Sequence, residues 1–222
     1  MTRLPRSLRL ALLTLGVLAG VAAPSSALAQ FEVESTPALL TMSSRSTQEF
    51  QASAEGVTVQ CHTIKLVNTI VKTTPTTTIL AHPEYSDCTK VLGETVTVTT
   101  TGCDYDLRLP AKSTSGTMDV ACAGGATITV TVGNLCKYHI GSAASGGGKE
   151  NENLGSITYS NFEMGNLREV VFKFALTAIT STRTGSILCG PATSTTGTLS
   201  GSLTVIGEKT TSPFERVGFY VD

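Results

Sequence analysis

Four of the six cysteines fall between Cys88 and Cys136, in a stretch whose apolar residues occupy alternate positions almost throughout. A period of two is the signature of a half-buried β-strand, and cysteines on the buried parity restrict which strands can lie side by side. Cys103, Tyr105, Leu107 and Leu109 share one parity, against Asp104, Asp106 and Arg108 on the other. Pro110 to Gly116 interrupts the pattern, after which Met118, Val120 and Cys122 alternate with Thr117, Asp119 and Ala121. An antiparallel return is the economical reading. In the register that sets Cys103 against Cys122, Tyr105 faces Val120 and Leu107 faces Met118, and a slip of one residue destroys all three pairs. Directly opposed positions have Cα separations that a disulfide can span, so this register predicts a bond between Cys103 and Cys122. It also places Asp106 opposite Asp119, with Asp104 two residues away on the same outer face.

The remaining cysteines are paired by order along the chain. The polar segment His82 to Asp87 reads as a corner leading Cys88 back towards Cys61, which gives a second bridge, Cys61 with Cys88. Cys136 and Cys189 are then left for each other, and their bond ties the two halves of the chain into one domain across a Gly-rich loop at 141–153. That loop carries Gly146, Gly147 and Gly148 without a following Gly-Lys-Ser/Thr element, so it reads as a mobile connection and not as a phosphate cradle.

Other alternating runs extend the β reading along the chain. Phe31 to Thr36 looks like an opening edge strand, and Val57, Val59 and Cys61 form the next run. Thr73 to Thr78 reads as a loop or edge strand because Pro75 lacks a ladder donor. Thr95 to Thr100 and Ile128 to Val132 alternate valine or isoleucine with threonine, and the latter run is expected to continue past Gly133 and Asn134 to Ile140. Val170, Phe172, Phe174 and Leu176, then Leu199, Leu203 and Val205, supply core positions, and Val217 to Val221 makes a closing strand. Gly201 falls on an inward position, as at a bulge or a close backbone approach. Threonine-rich composition and the lack of a 3.6-residue apolar period exclude long helices. The fold class is all-β: an antiparallel, disulfide-stapled β-sandwich or flattened barrel over 30–222. The Ig arrangement is disfavoured because the chain has no Trp.

Residues 1–29 read as a cleaved signal peptide. Arg3, Arg6 and Arg9 precede the apolar run Leu10 to Ala23, and Ala27, Leu28 and Ala29 put small residues where a signal peptidase reads them. The run is shorter than the roughly 20 residues that cross a bilayer, so no membrane span is expected once the signal is removed. Removal of three arginines takes the formal net charge from −1 to −4. No basic stripe with interleaved aromatics is present, so nucleic acid is excluded as a partner. An even number of cysteines in an exported chain points to an oxidising compartment, either secreted or in the extracytoplasmic cell envelope.

Chemistry-bearing constellations are sparse. His62, His82 and His139 all lie near cysteines, but zinc ligands compete poorly with disulfide formation and no Cys-x-x-Cys knuckle exists. A bridged cysteine has no thiolate, so a Cys/His nucleophile is excluded on the same ground. The Gly-x-Ser-x-Gly elbow is absent. Asp104, Asp106 and Asp119 are candidate calcium ligands, weighed against the simpler reading that solvent and Arg108 offset their repulsion. The reading therefore has no catalytic residues and no cofactor.

The opening Phe31 to Leu40 with Pro37-Ala38, the Val57 to Cys61 strand, the corner Tyr85-Ser86-Asp87-Cys88 and the segment Gly102-Cys103-Asp104-Tyr105 resemble a group of exported six-cysteine bacterial proteins of unassigned function. The resemblance implies secretion and paired cysteines. The expected function is a non-catalytic binding or structural module whose partner is an extracellular protein or a glycan. A secreted hydrolase and a calcium-stabilised adhesive module are the alternatives.

Overall fold

A computed structural model describes residues 30–52, 57–67, 69–90, 93–110, 113–141, 151–211 and 215–222. The expected signal peptide lies outside these residues, as does most of the expected Gly-rich loop; pairing resumes at Asn151, inside the span read as loop.

The strands are β1 (Phe31–Val33), β2 (Ala38–Ser44), β3 (Gln48–Gln51), β4 (Thr58–Leu66), β5 (Ile70–Val71), β6 (Thr78–Ala81), β7 (Pro83–Lys90), β8 (Thr95–Thr99) and β9 (Cys103–Arg108). They continue with β10 (Ser115–Cys122), β11 (Ile128–Val132), β12 (Cys136–Ile140), β13 (Asn151–Met164), β14 (Leu167–Gly185), β15 (Thr193–Lys209), β16 (Arg216–Val217) and β17 (Phe219–Val221). A single 3-10 turn, Ile187–Cys189, joins β14 to β15. Of the two architectures left open by the sequence, the chain forms the barrel. β15, β3, β4, β7, β8, β11, β12 and β14 each pair with the next, and β14 pairs back onto β15 to close an eight-stranded antiparallel ring.

The closure depends on the length of β14 and β15, which have 19 and 17 residues. The C-terminal half of β14 pairs with β12, whereas its N-terminal half pairs with β13. β15 likewise pairs with β3 near its start and with β2 near its end. A second run of pairing therefore leads away from the same two strands: β2, β15, β14, β13, β10, β9 and β6 in order. It stops at a seam between β6 and β5. There the β4–β7 ladder continues only as single bonds, from the Val67 N–H to the His82 carbonyl at 2.9 Å and from the His82 N–H to Thr69 Oγ1 at 3.1 Å.

One continuous core fills both regions. Tyr105, Leu107, Met118 and Val120 point inward in the register read from the sequence, with Cys103 opposite Cys122. Phe31 and Phe219, carried by the β1–β17 ribbon, join Tyr159 and Phe172 in an aromatic group with centroid separations of 4.9 to 6.4 Å. Such pairs contribute about 0.5 to 1.5 kcal/mol beyond their buried area. Phe31 is thus a fully buried core anchor on an edge strand that ends at Val33, shorter than the alternating run to Thr36.

The disulfides join Cys61 to Cys88, Cys103 to Cys122 and Cys136 to Cys189, with Cα separations of 4.0, 4.0 and 5.8 Å. Two local expectations are corrected. His82 to Asp87 does not form a corner: Pro83–Lys90 is a strand whose polar side chains face outward while the backbone pairs with β4. Ile128 to Ile140 is not one strand either. Gly133, in the left-handed region at φ 53°, starts a turn that folds β12 back on β11, with Val132 opposite Cys136.

Gly201 is the close approach its inward position suggests. A Cβ there would lie 1.9 Å from Oε1 of Gln48, a buried side chain that donates from Nε2 to the Ser46 and Ser202 carbonyls. Gly116 is nearly as close and faces more rigid groups, since a Cβ would meet the Arg108 carbonyl oxygen at 2.0 Å and the Tyr159 ring at 2.6 Å. Gly116→Ala should destabilise the domain by about 3 kcal/mol or more, read as a lowered urea midpoint with the slope unchanged.

Candidate functional site

Among the described residues, two cavities inside the core measure about 40 Å³ and about 20 Å³. Tyr85 and Tyr105 meet there, with hydroxyl oxygens 2.6 Å apart. Burial pushes the Tyr105 phenol up to about 12, and burial together with the neighbouring phenol raises that of Tyr85 well above its ordinary value. These phenols stay protonated and link β7 to β9 across the core.

The outer face of β9 and β10 carries the three aspartates, but it does not bring them together as calcium ligands. Asp104 Oδ1 lies 2.8 Å from His82 Nδ1, because the β6–β9 pairing sets the end of β6 beside the start of β9. Asp106 is taken by Arg108, which reaches back two residues to donate from Nε at 2.9 Å and from its terminal nitrogen. Asp119 sits opposite Asp106 in the ladder and 4.0 Å from Arg108 Nε. Among the described residues no group of three or more His, Cys, Asp or Glu side chains could hold a metal ion. All six cysteines are in disulfides, and His62 and His139 contact threonine hydroxyls, so no zinc set forms either.

Asp106 departs from the solvated outer face expected of it: it is only 5% exposed, because the Arg108 side chain lies over it. Oδ1 of Asp106 and Oδ1 of Asp119 are both buried without a hydrogen-bond partner. The carboxyl of Asp119 is raised from its ordinary value by burial, a shift opposed by Arg108 and reinforced by Asp106.

Beside this face lies an open groove of about 540 Å³, lined by Val67, Ile70, Lys72, Leu80, His82 and Asp104. It occupies the seam between β5 and β6, and two strand edges that have no pairing strand among the described residues, and are bare in that sense, border it. The Leu109 N–H donates to the Thr77 carbonyl, so by alternation residues 77, 79 and 81 address β9 and the backbone groups of Leu80 point the other way. Leu40 donates to the Thr69 carbonyl, so Thr69 and Val71 address β2 and the backbone groups of Ile70 point into the seam. The side chains of Ile70 and Leu80 are 45% and 57% exposed. The neighbouring Thr78 is closed off locally, because Thr76 Oγ1 accepts from its N–H and donates to its carbonyl.

Of the residues singled out in the sequence, Asp104 borders this groove, whereas Asp106 and Asp119 form a separate cluster with Arg108. His82, which the sequence pattern assigns to a corner, lines the groove as well. Ile70, Lys72 and Leu80 were missed, although Leu80 left a signal: it is a large apolar residue on the polar parity of a short strand, between buried Ile79 and Ala81. No protein-family model, curated protein or solved structure matches the chain.

The orphaned oxygens give a pH-dependent expectation. A carboxyl whose folded value is raised binds its proton more tightly in the folded state, so its contribution to stability is full below the unfolded value near 3.8 and is lost as pH rises through the folded value. Asp119→Asn removes a like charge opposite Asp106 and offers its oxygen an amide donor. The variant should be more stable than the parent at pH 7 by about 0.2 to 1 kcal/mol, with the gap closing below pH 3.8, as checked by chemical denaturation at both pH values.

Proposed function

We propose that the chain is a secreted or cell-envelope-associated, non-catalytic barrel that binds an extended segment of another extracellular protein in the groove between β5 and β6. The observation that carries this reading is the pair of bare strand edges at Ile70 and Leu80. Unpaired backbone donors and acceptors bordering one slot are the requirement for strand addition, and exposed apolar side chains beside them supply contact area. A peptide is favoured over a glycan because the groove is lined by aliphatic and charged residues and offers no aromatic ring for a sugar to stack on. Three disulfides, together with the absence of a long apolar helix among the described residues, are compatible with an extracellular location. Export itself rests on the reading of residues 1–29 and on the resemblance to exported six-cysteine proteins.

Selection of octapeptides from a random display library against the mature protein tests the groove. Enriched peptides should alternate apolar and polar residues and slow amide exchange at Ile70 and Leu80. They should lose about tenfold or more in affinity for Leu80→Lys, since lysine is a residue that blunts sheet edges. Peptides that bind this variant as well as the parent would place the binding surface elsewhere.

The hydrolase alternative has one specific observation in its favour, the His82–Asp104 pair at the groove mouth. A carboxylate that orients an imidazole is two-thirds of a nucleophile system. Among the described residues the hydrogen bond found for the His82 ring is the one from Nδ1 to Asp104, and a nucleophile partner for Nε2 is what this reading still requires. Turnover of generic ester, peptide or glycoside substrates that is abolished by His82→Ala would replace the binding reading with the catalytic one.

A further inference from the structure

At the end of the closed barrel that carries the β11–β12 turn, three aliphatic side chains stand in solvent. Leu135, Ile187 and Leu188 are 66%, 84% and 89% exposed. Side chains this exposed stand clear of their neighbours; they form a projection, in contrast to the groove described above. The projection belongs to one tight structure, because the Ser186 N–H donates to the Leu135 carbonyl at 3.0 Å and so joins the 3-10 turn to the β11–β12 turn.

The backbone beneath these side chains is fastened from several directions. The Cys136–Cys189 disulfide joins the two turns, and the Tyr138 hydroxyl donates to the Cys189 carbonyl at 2.8 Å. Ser186 caps the 3-10 turn by accepting from the Leu188 N–H. Arg183 donates from one terminal nitrogen to the Gly185 and Ser186 carbonyls and from Nε to that of Pro191. None of these bonds uses the side chains of Leu135, Ile187 or Leu188, and those side chains bury little of themselves against the fold. A rigid mount that presents unburied aliphatic groups is organised for contact with something else.

The charge around the projection indicates what it contacts. The chain has 17 acidic residues, yet none occurs from Ala121 to Gly141 or from Val170 to Gly207, the segments that carry the β11–β12 and β14–β15 turns. The same segments carry Lys137 and Arg183 near the turns, and among the described residues neither is paired with a carboxylate. Lys90 and Glu94, where the β7–β8 turn approaches Gly133, neutralise each other at 3.2 Å. Aliphatic tips flanked by basic groups, on two turns that carry no acidic residue of their own, match the two layers of an anionic membrane surface: tips in the acyl boundary and cations at the headgroups. We infer that the Leu135–Ile187–Leu188 projection docks the barrel, end-on, onto an anionic phospholipid bilayer.

Flotation of the purified mature protein with vesicles tests this surface independently of the groove. The protein should float with phosphatidylcholine vesicles containing phosphatidylglycerol, float more weakly with phosphatidylcholine alone, and detach as salt is raised. Ile187→Ser with Leu188→Ser, at positions too exposed to affect folding, should lower vesicle binding about tenfold or more with an unchanged melting temperature. Lys137→Gln should lower it about fivefold, the effect of one basic residue at an anionic surface. Leu80→Lys should float like the parent, so failure of the groove and failure of the projection give different results. Absence of flotation, flotation that survives the double serine variant, or self-association through the projection in place of vesicle binding would each overturn the inference.

Discussion

The ladder between β14 and β15 is the constraint on which the rest of the architecture depends. Each strand is longer than one barrel needs, so each closes the eight-stranded ring with one half and carries the second run of pairing with the other. The change of partner coincides with irregularities in the β14–β15 register between Leu176 and Ser181, where Ala178 adopts a left-handed conformation at φ 61°. A break of this kind bends a strand and lets it pass from one curved surface to the next. Without that ladder the β12 and β13 sides would not share a core, and Phe172 would not reach both Tyr159 and Leu203.

The hairpins were legible because their physics is local. In the β9–β10 pair, alternation and the two cysteines agree on a single register, and any slip would put Asp or Thr into the core. The Gly201 position was legible for a related reason: a glycine on an inward parity must admit another group, and Gln48 is that group. Ring closure was not legible. It depends on pairings such as β3 with β15, whose partners lie about 150 residues apart and share no pattern that singles them out. The consecutive burial of Val170, Val171 and Phe172 shows why, since a strand covered on both faces loses the alternation that sequence reading relies on.

Polar composition misled in two opposite ways. His82 to Asp87 looks like a corner, yet Pro83 onward pairs as a strand, with a local break at Asp87, left-handed at φ 54°, because a barrel wall only needs apolar residues on its inner face. Asp106 looks solvated, yet it is buried by its own neighbour, since a long arginine two residues along can fold its aliphatic stem over a short carboxylate. The His82–Asp104 contact could not be read from spacing at all, as it arises only once β6 pairs with β9. The aspartates flagged in the sequence were therefore informative about where charge gathers, although the sequence did not reveal which partner each would take.

A filled barrel has few places left to act. The two interior cavities among the described residues are small beside the lumen that larger barrels use for ligands, and rims, seams and turns offer more room. These are also the places where the chain departs from its own rules: bare backbone at Ile70 and Leu80, unpaired carboxylate oxygens at Asp106 and Asp119, and aliphatic side chains in solvent at Leu135, Ile187 and Leu188. The departures are not scattered. The groove holds an aspartate–histidine pair beside strand edges without a pairing strand among the described residues, while the two turns that carry the aliphatic projection contain no acidic residue. Disulfides fasten strands near both, Cys103 being next to Asp104 and Cys189 next to Leu188. A fold that holds its least self-satisfied features on its most rigid supports keeps them available to a partner without unfolding to expose them.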